Sequence, residues 1–247
     1  MISNIKSIKM IVKKQNSVVD KQDTQKDLIQ PNQILFKLPA YGPADYYALG
    51  QQILSDELIL PSGEEIAKLV HKSYCIKESL NEPAFEYIRT VLNESPISIF
   101  NINYWTDMGV FVFPDIKVEG IYKNVKQKEL EKILENGIEI NNVLFSKNSK
   151  FRFAPKWSYY LGEQNHESII NDGYFIAQFG IEGARRLSEL VKITGKKPIS
   201  YGFDIEEGNQ PKLRVSLLEI ENDKIHFVGN NEFGSIRGRT FGIQGYL

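Results

Sequence analysis

Residues 199–228 read ISYGFDIEEGNQPKLRVSLLEIENDKIHFV. Tyr201, Phe203 and Ile205 alternate with Gly202, Asp204 and Glu206. Beyond the turn formers at 208–211, Leu213, Val215 and Leu217 alternate with Arg214, Ser216 and Leu218, and a third run spans Ile225 to Val228. Period-two alternation between turn clusters predicts half-buried antiparallel strands, here a C-terminal β-meander. Pairing Ile205 with Leu213, Phe203 with Val215 and Tyr201 with Leu217 turns the large apolar residues to one face. A slip of one residue would send the whole set to the other. That register sets Asp204 opposite Arg214. With Phe227 opposite Leu217, Asn230 lies beside Arg214, so Asp204, Arg214 and Asn230 form a polar row with His226 further along. The row reads as a solvated face with one ion pair, worth about 0.2–1 kcal/mol, or as a platform for a ligand.

Upstream, the pattern changes to helices. A helix is expected over Ala44 to Leu54 after the turn at Pro39–Pro43. The clearest start is Ser62 with Glu65 three residues on, a capping box preceding Ile66, Leu69 and Val70 on one face. Pro83 opens a third helix that buries Phe85, Ile88 and Leu92. Ile97–Trp105 and Val110–Phe113 predict a hairpin, Lys126–Glu135 a helix stopped by Asn136-Gly137, and Val143–Phe145 with Phe151–Phe153 a second hairpin. His166–Ile170 reads as a short helix, Tyr174–Gln178 as an apolar strand and Glu182–Ile193 as a helix. Helices, hairpins and a meander without regular βα alternation predict an α+β fold, a helical N-terminal part packed with antiparallel sheet. The division is 1–33 as a flexible N-terminal arm, 34–122 as a helical and hairpin part, and 123–247 as an α+β part. Residues 34 to 247 can equally form one continuous domain. Within the arm, Gln15–Gln33 is too polar to offset its ordering entropy, and Ile5–Val12 is either a tail or a short docked strand.

Of 247 residues, 42% are hydrophobic and 25% charged, as in an ordinary globular protein. The net charge of −1 hides +3 over residues 1–33, −6 over 34–122 and +2 over 123–247. A dedicated duplex-DNA binder is not expected from this balance. Six of the seven Arg lie beyond residue 150, so an anion site belongs in the C-terminal half. Cys75 is the only cysteine; it excludes an internal disulfide and fits a reducing, cytoplasmic compartment. No run approaches the roughly 18 apolar residues of a membrane span, and residues 1–14 lack the form of a signal peptide. No cofactor or metal is expected.

No motif specifies a reaction. Phe179-Gly180-Ile181-Glu182-Gly183 joins a predicted strand to a predicted helix, where glycines let backbone N–H groups approach an anion. It lacks both the three-glycine dinucleotide pattern and the P-loop Gly-Lys-Ser/Thr, and fits a tight turn. His71 and Cys75, four apart, share a helix face but are too few for a structural zinc site; they read as a buried thiol and a surface imidazole. His166, with Glu163 and Glu167 beside it, is a candidate for acid–base work. Residues 229–247 hold five glycines with Arg237, Arg239 and aromatics, a composition suited to anionic or stacking ligands or to a bulged closing hairpin. Trp105 and Trp157 are both expected in the core.

Three functions follow. The leading one is a non-catalytic intracellular protein that engages an anionic ligand or protein partner through Arg237 and Arg239, with Arg214, Asn230 and Asp204 on the adjoining sheet. The second is an enzyme acting on a phosphorylated or nucleotide substrate with His166, Glu163 and Arg185 in one cleft. The third is an assembly subunit that buries an apolar face.

Overall fold

In the computed structural model, which describes residues 8–12, 34–118 and 125–246, the chain begins with β1 (Ile8–Val12), β2 (Ile34–Leu38) and β3 (Tyr41–Ala44). The helices α1 (Tyr46–Ser55), α2 (Gly63–Cys75) and α3 (Pro83–Glu94) follow, then the hairpin β4 (Ile97–Thr106) and β5 (Gly109–Pro114). Next come α4 (Gln127–Leu134), β6 (Ile138–Ile140), β7 (Val143–Phe145), β8 (Arg152–Pro155) and β9 (Gly162–Glu163). Helices α5 (His166–Ile169) and α6 (Gly173–Thr194) precede β10 (Lys197–Tyr201), β11 (Lys212–Glu221), β12 (Lys224–Asn231), β13 (Gly238–Thr240) and β14 (Ile243–Tyr246). The fold is α+β. Its helix starts match the sequence signals: the backbone N–H of Ser62 donates to Glu65 Oε2 at 2.8 Å, and Pro83 stands at the first position of α3. The connector expected over Gln15–Gln33 lies outside the described residues.

The principal sheet has the order β6-β7-β8-β5-β4-β11-β12-β10-β9, with β13 and β3 attached at β4. Strands on both sides of the Lys126 region therefore share one ladder. A smaller sheet joins β1 and β14 to β2. Helices α2, α3 and α6 cover one face of the principal sheet, where Phe175, Phe179 and Phe227 meet edge-on or tilted at 4.7–6.1 Å. The other face packs Phe100, Ile102 and Val215 against α1 and α4. Each fully buried large side chain contributes about 1.5–3 kcal/mol.

The meander departs from its expected pairing. β11 lies between β4 and β12, while β10 ends at Tyr201 and pairs parallel with β12. Residues 202–211 leave the sheet to cover Trp105: the Gly202 backbone lies so close to the indole that any Cβ there would collide with the ring. Phe203 meets the same ring edge-on at 6.5 Å. Leu217 sits opposite Val228, and Leu218 opposite Phe227, one residue away from the expected register. Val215, Ser216, Leu217 and Leu218 are all buried, so both faces of β11 are covered and alternation could not choose between them.

Residues 174–178 are helical, not a strand. They open α6, whose first eight residues are buried on every side, and an apolar run without a polar face carries no helical period. Arg237–Tyr246 does not close as a hairpin: β13 pairs with β3 and β4, and β14 with β2.

Helix α6 breaks at Gly180, with φ 72° and ψ 166°. An unbroken helix would bond the carbonyls of Ala177 and Gln178 to the N–H groups four residues on. Here Arg152 Nη1 donates to Ala177 O at 3.1 Å and Asn101 Nδ2 to Gln178 O at 2.8 Å. Glu64 binds Arg152 at 3.2 Å and lies against Gly180, near the start of the second helical half, where a negative charge suits the dipole. Gly180→Ala is expected to lower stability by about 1–3 kcal/mol, because an L-residue is strained in that conformation. An unchanged denaturant midpoint would show that the glycine does not set the break.

Candidate functional site

A surface hollow of about 680 Å³ opens where β8 hands over to α6. The chain turns at Lys156–Ser158, secured by Ser158 Oγ donating to Pro155 O at 2.7 Å and Lys156 N to Met108 O at 2.8 Å. Tyr159 then points inward, edge-on to Trp105 at 6.0 Å. Its neighbours point out: Trp157 is 72% exposed and Tyr160 61%. The far wall carries Gln164, Asn165 and Ser168, with Asn165 Oδ1 accepting from the backbone N–H of Ser168 at 2.8 Å as the cap of α5. A smaller hollow, lined by Lys156 and Asp204, continues the groove past Tyr159 and Tyr160.

Asp172 fastens the floor. It caps α6 by accepting from Phe175 N at 3.1 Å, and its second oxygen accepts from Tyr160 N at 2.9 Å and Gln164 Nε2 at 3.1 Å. Burial holds its carboxyl above the ordinary range even though these bonds favour the anion. Ser200 Oγ donates to Tyr160 O at 2.9 Å, so β10 braces the loop from below.

The expected site residues fall in separate places. Asp204 pairs with Lys156, not Arg214. Arg214 binds Glu232 at 3.3 Å and lies over the Phe203 ring at 5.2 Å. Asn230 donates to Gly202 O at 3.4 Å, and His226 stacks on Tyr201. The polar row expected across three strands is therefore absent, because Asp204 sits in the loop over Trp105. Arg237 donates to Pro43 O at 3.0 Å and Arg239 to Gly42 O at 3.3 Å, so both guanidiniums hold the turn of β3. Glu163 lines the groove and binds Lys197 at 3.3 Å. Arg185 binds Glu182 at 2.6 Å on α6. His166 opens α5, its carbonyl accepting from Ser188 Oγ at 2.6 Å; neither it nor Arg185 lines the groove with Glu163. His71 meets Glu189 at 2.8 Å, and burial, with Glu189 nearby, pushes the Cys75 thiol up to about 12.

The reading of the sequence missed Trp157 by assigning it to the core. The available signal was the run Trp157-Ser158-Tyr159-Tyr160-Leu161-Gly162-Glu163-Gln164-Asn165, aromatic and amide-rich with a single aliphatic residue. No helix among the described residues is long and apolar enough to cross a membrane. Among the same residues, no group of three or more His, Cys, Asp or Glu is placed to hold a metal ion.

No protein-family model matches the chain, and no curated protein does. One solved structure that matches is described as "Accommodation of massive sequence variation in Nanoarchaeota by the C-type lectin fold". It shares 12% identity at a TM-score of 0.50, over 81% of this chain and 94% of that one. The likeness is one of fold.

Two outcomes follow from the site's construction. Asp172→Ala, which removes a cap and leaves buried donors unmet, is expected to cost about 1–3 kcal/mol and to speed amide exchange at 158–165. Unchanged exchange there would show that Asp172 does not hold the loop. Burial also raises Tyr159 and Tyr174 above the ordinary value of 10.0. Their contribution is full below that pH and is lost as pH rises beyond it, since the unfolded chain ionises first. The denaturant midpoint should fall above pH 10.0, less steeply in Tyr174→Phe. Equal slopes would count against a raised Tyr174.

Proposed function

We propose that this chain is a non-catalytic binding protein that seats a partner macromolecule on the groove between Trp157 and Ser168. The observation that carries the reading is the pair of outward rings, Trp157 and Tyr160, standing on a loop otherwise tied down by hydrogen bonds. Large exposed aromatics beside Ser, Asn and Gln make the composition of a recognition surface. The rings bring contact area at low entropic cost, and the amides adapt their hydrogen bonds. The fixed loop lowers the ordering penalty of binding. The matched structure's fold is described as accommodating massive sequence variation, and a scaffold tolerant of surface change suits recognition.

A second reading keeps the anionic partner on Arg237 and Arg239. It is favoured by Arg237, which is exposed and shares the β3 turn with Arg239. Selection from a random peptide library and a glycan array, with wild type beside Trp157→Ala/Tyr160→Ala and Arg237→Ala/Arg239→Ala, separates the two. The groove reading expects ligands that the aromatic double variant binds at least about tenfold more weakly and the arginine variant binds normally. Ligands sensitive only to the arginine pair would replace the groove with the C-terminal segment. No selected ligand in either screen would sink both.

A further inference from the structure

Resting on the groove reading, we infer that the partner presents an arginine side chain, which stacks on Trp157 beside Tyr160 and bonds to the carboxylate and amide oxygens of the groove. The lining of the main hollow includes two carboxylates, Glu163 and Asp172, and no Lys, Arg or His. The cations at its margins are already matched: Lys197 to Glu163 at 3.3 Å, and Lys156 to Asp204 in the adjoining hollow. Carboxylates thus outnumber ammonium groups around the groove, which disfavours a phosphate or an acidic segment there.

The rings give the second, independent observation. Elsewhere the chain places its own cations over aromatic faces: Lys212 at 4.4 Å and Arg214 at 5.2 Å over Phe203, Lys72 at 5.2 Å over Phe85. Among the described residues none stands over Trp157 or Tyr160. Indole is the best ring for a cation. Arginine suits the place better than lysine, because its weakly hydrated plane stacks on a ring while its fork of N–H groups donates sideways. Glu163, whose side chain is half exposed, and the Gln164 amide oxygen supply acceptors beside the rings.

Four hexapeptides of alternating Gly with Arg, Lys, Ser or Glu, titrated into the full chain, test this. Trp157 fluorescence, assigned with Trp157→Phe, and calorimetry report binding. The Arg peptide should bind about tenfold more tightly than the Ser peptide, ahead of Lys, and weaken as salt screens the carboxylates. Trp157→Ala should lose most of that preference while folding normally, because the side chain is exposed. Glu163→Gln should weaken the Arg peptide. Lys197→Ala, which frees Glu163, should strengthen it by about threefold, a gain that a purely structural role for these residues would not produce. Equal binding of Ser or Glu peptides, or an Arg preference that survives Trp157→Ala, overturns the inference. If the library and glycan screens yield groove ligands while the arginine series fails, the groove reading stands and the arginine inference alone falls.

Discussion

The indole of Trp105 holds four segments in place at once. It lies at the end of β4 with no exposure to solvent, and its Nε1 donates to Gly229 O on β12 at 2.8 Å. Its ring meets Tyr174 of α6 at 5.3 Å, Tyr159 of the groove loop at 6.0 Å and Phe203 of the covering loop at 6.5 Å. A buried indole is stable only when its N–H finds an acceptor, and the β12 backbone supplies one. The position of that ring therefore fixes how sheet, helix and both loops meet. The loop that bears Trp157 inherits its placement from this contact through Tyr159.

The break in α6 answers a related constraint. A straight helix of this length would present one narrow stripe to the sheet, yet the first half of α6 is buried all round and the second packs on α2 through Gly183 and Ala67. Turning the helix at Gly180 serves both halves but leaves carbonyls without partners, and a buried carbonyl without a partner costs about 1–3 kcal/mol. Arg152 and Asn101 reach from the sheet to meet them. Burial lowers the Arg152 pKa while Glu64 raises it, as expected of a charge kept inside for its hydrogen bonds. The glycines at 180 and 183, which in sequence resemble an anion-binding loop, serve this turn and this packing.

Local signals were legible where one face of an element is polar. Ser62 with Glu65 and Pro83 name their elements within a residue or so, because capping leaves a pattern in the chain; β4 and β5, buried on both faces, are named instead by aromatic and β-branched residues on either side of a turn. The pattern disappears where both faces are covered. Ile176 and Phe179 belong to a helix, and Leu217 and Leu218 to a strand, yet both runs read simply as apolar. Long-range choices were also hidden: nothing between residues 201 and 217 reveals that β4 takes the edge of β11 that a hairpin would have used. Of the candidate site, Glu163 in the main hollow and Asp204 in its continuation were foreseen, each as part of a different constellation. Trp157 was misplaced because residue type alone cannot tell an anchoring indole from an exposed one; the neighbours of each decide it.

The two tryptophans show how the fold separates an anchoring ring from an exposed one. Trp105 follows a strand residue and meets small or aromatic partners on every side, including the bare backbone of Gly202. Trp157 follows Pro155 and Lys156 in a tight turn, flanked by Ser158, with no apolar element over it. Exposing an indole forgoes roughly the stabilisation that its burial would bring, on the order of 25 cal/mol per Å² of apolar surface. The loop can carry that loss because its position is fixed from beneath, by Asp172, Ser200 and Tyr159, and does not require Trp157 to pack. Such a surface can vary in its outward residues without disturbing the core, since the bonds that hold it run through backbone atoms and inward side chains. That separation makes recognition on this loop physically compatible with a sheet buried on both faces.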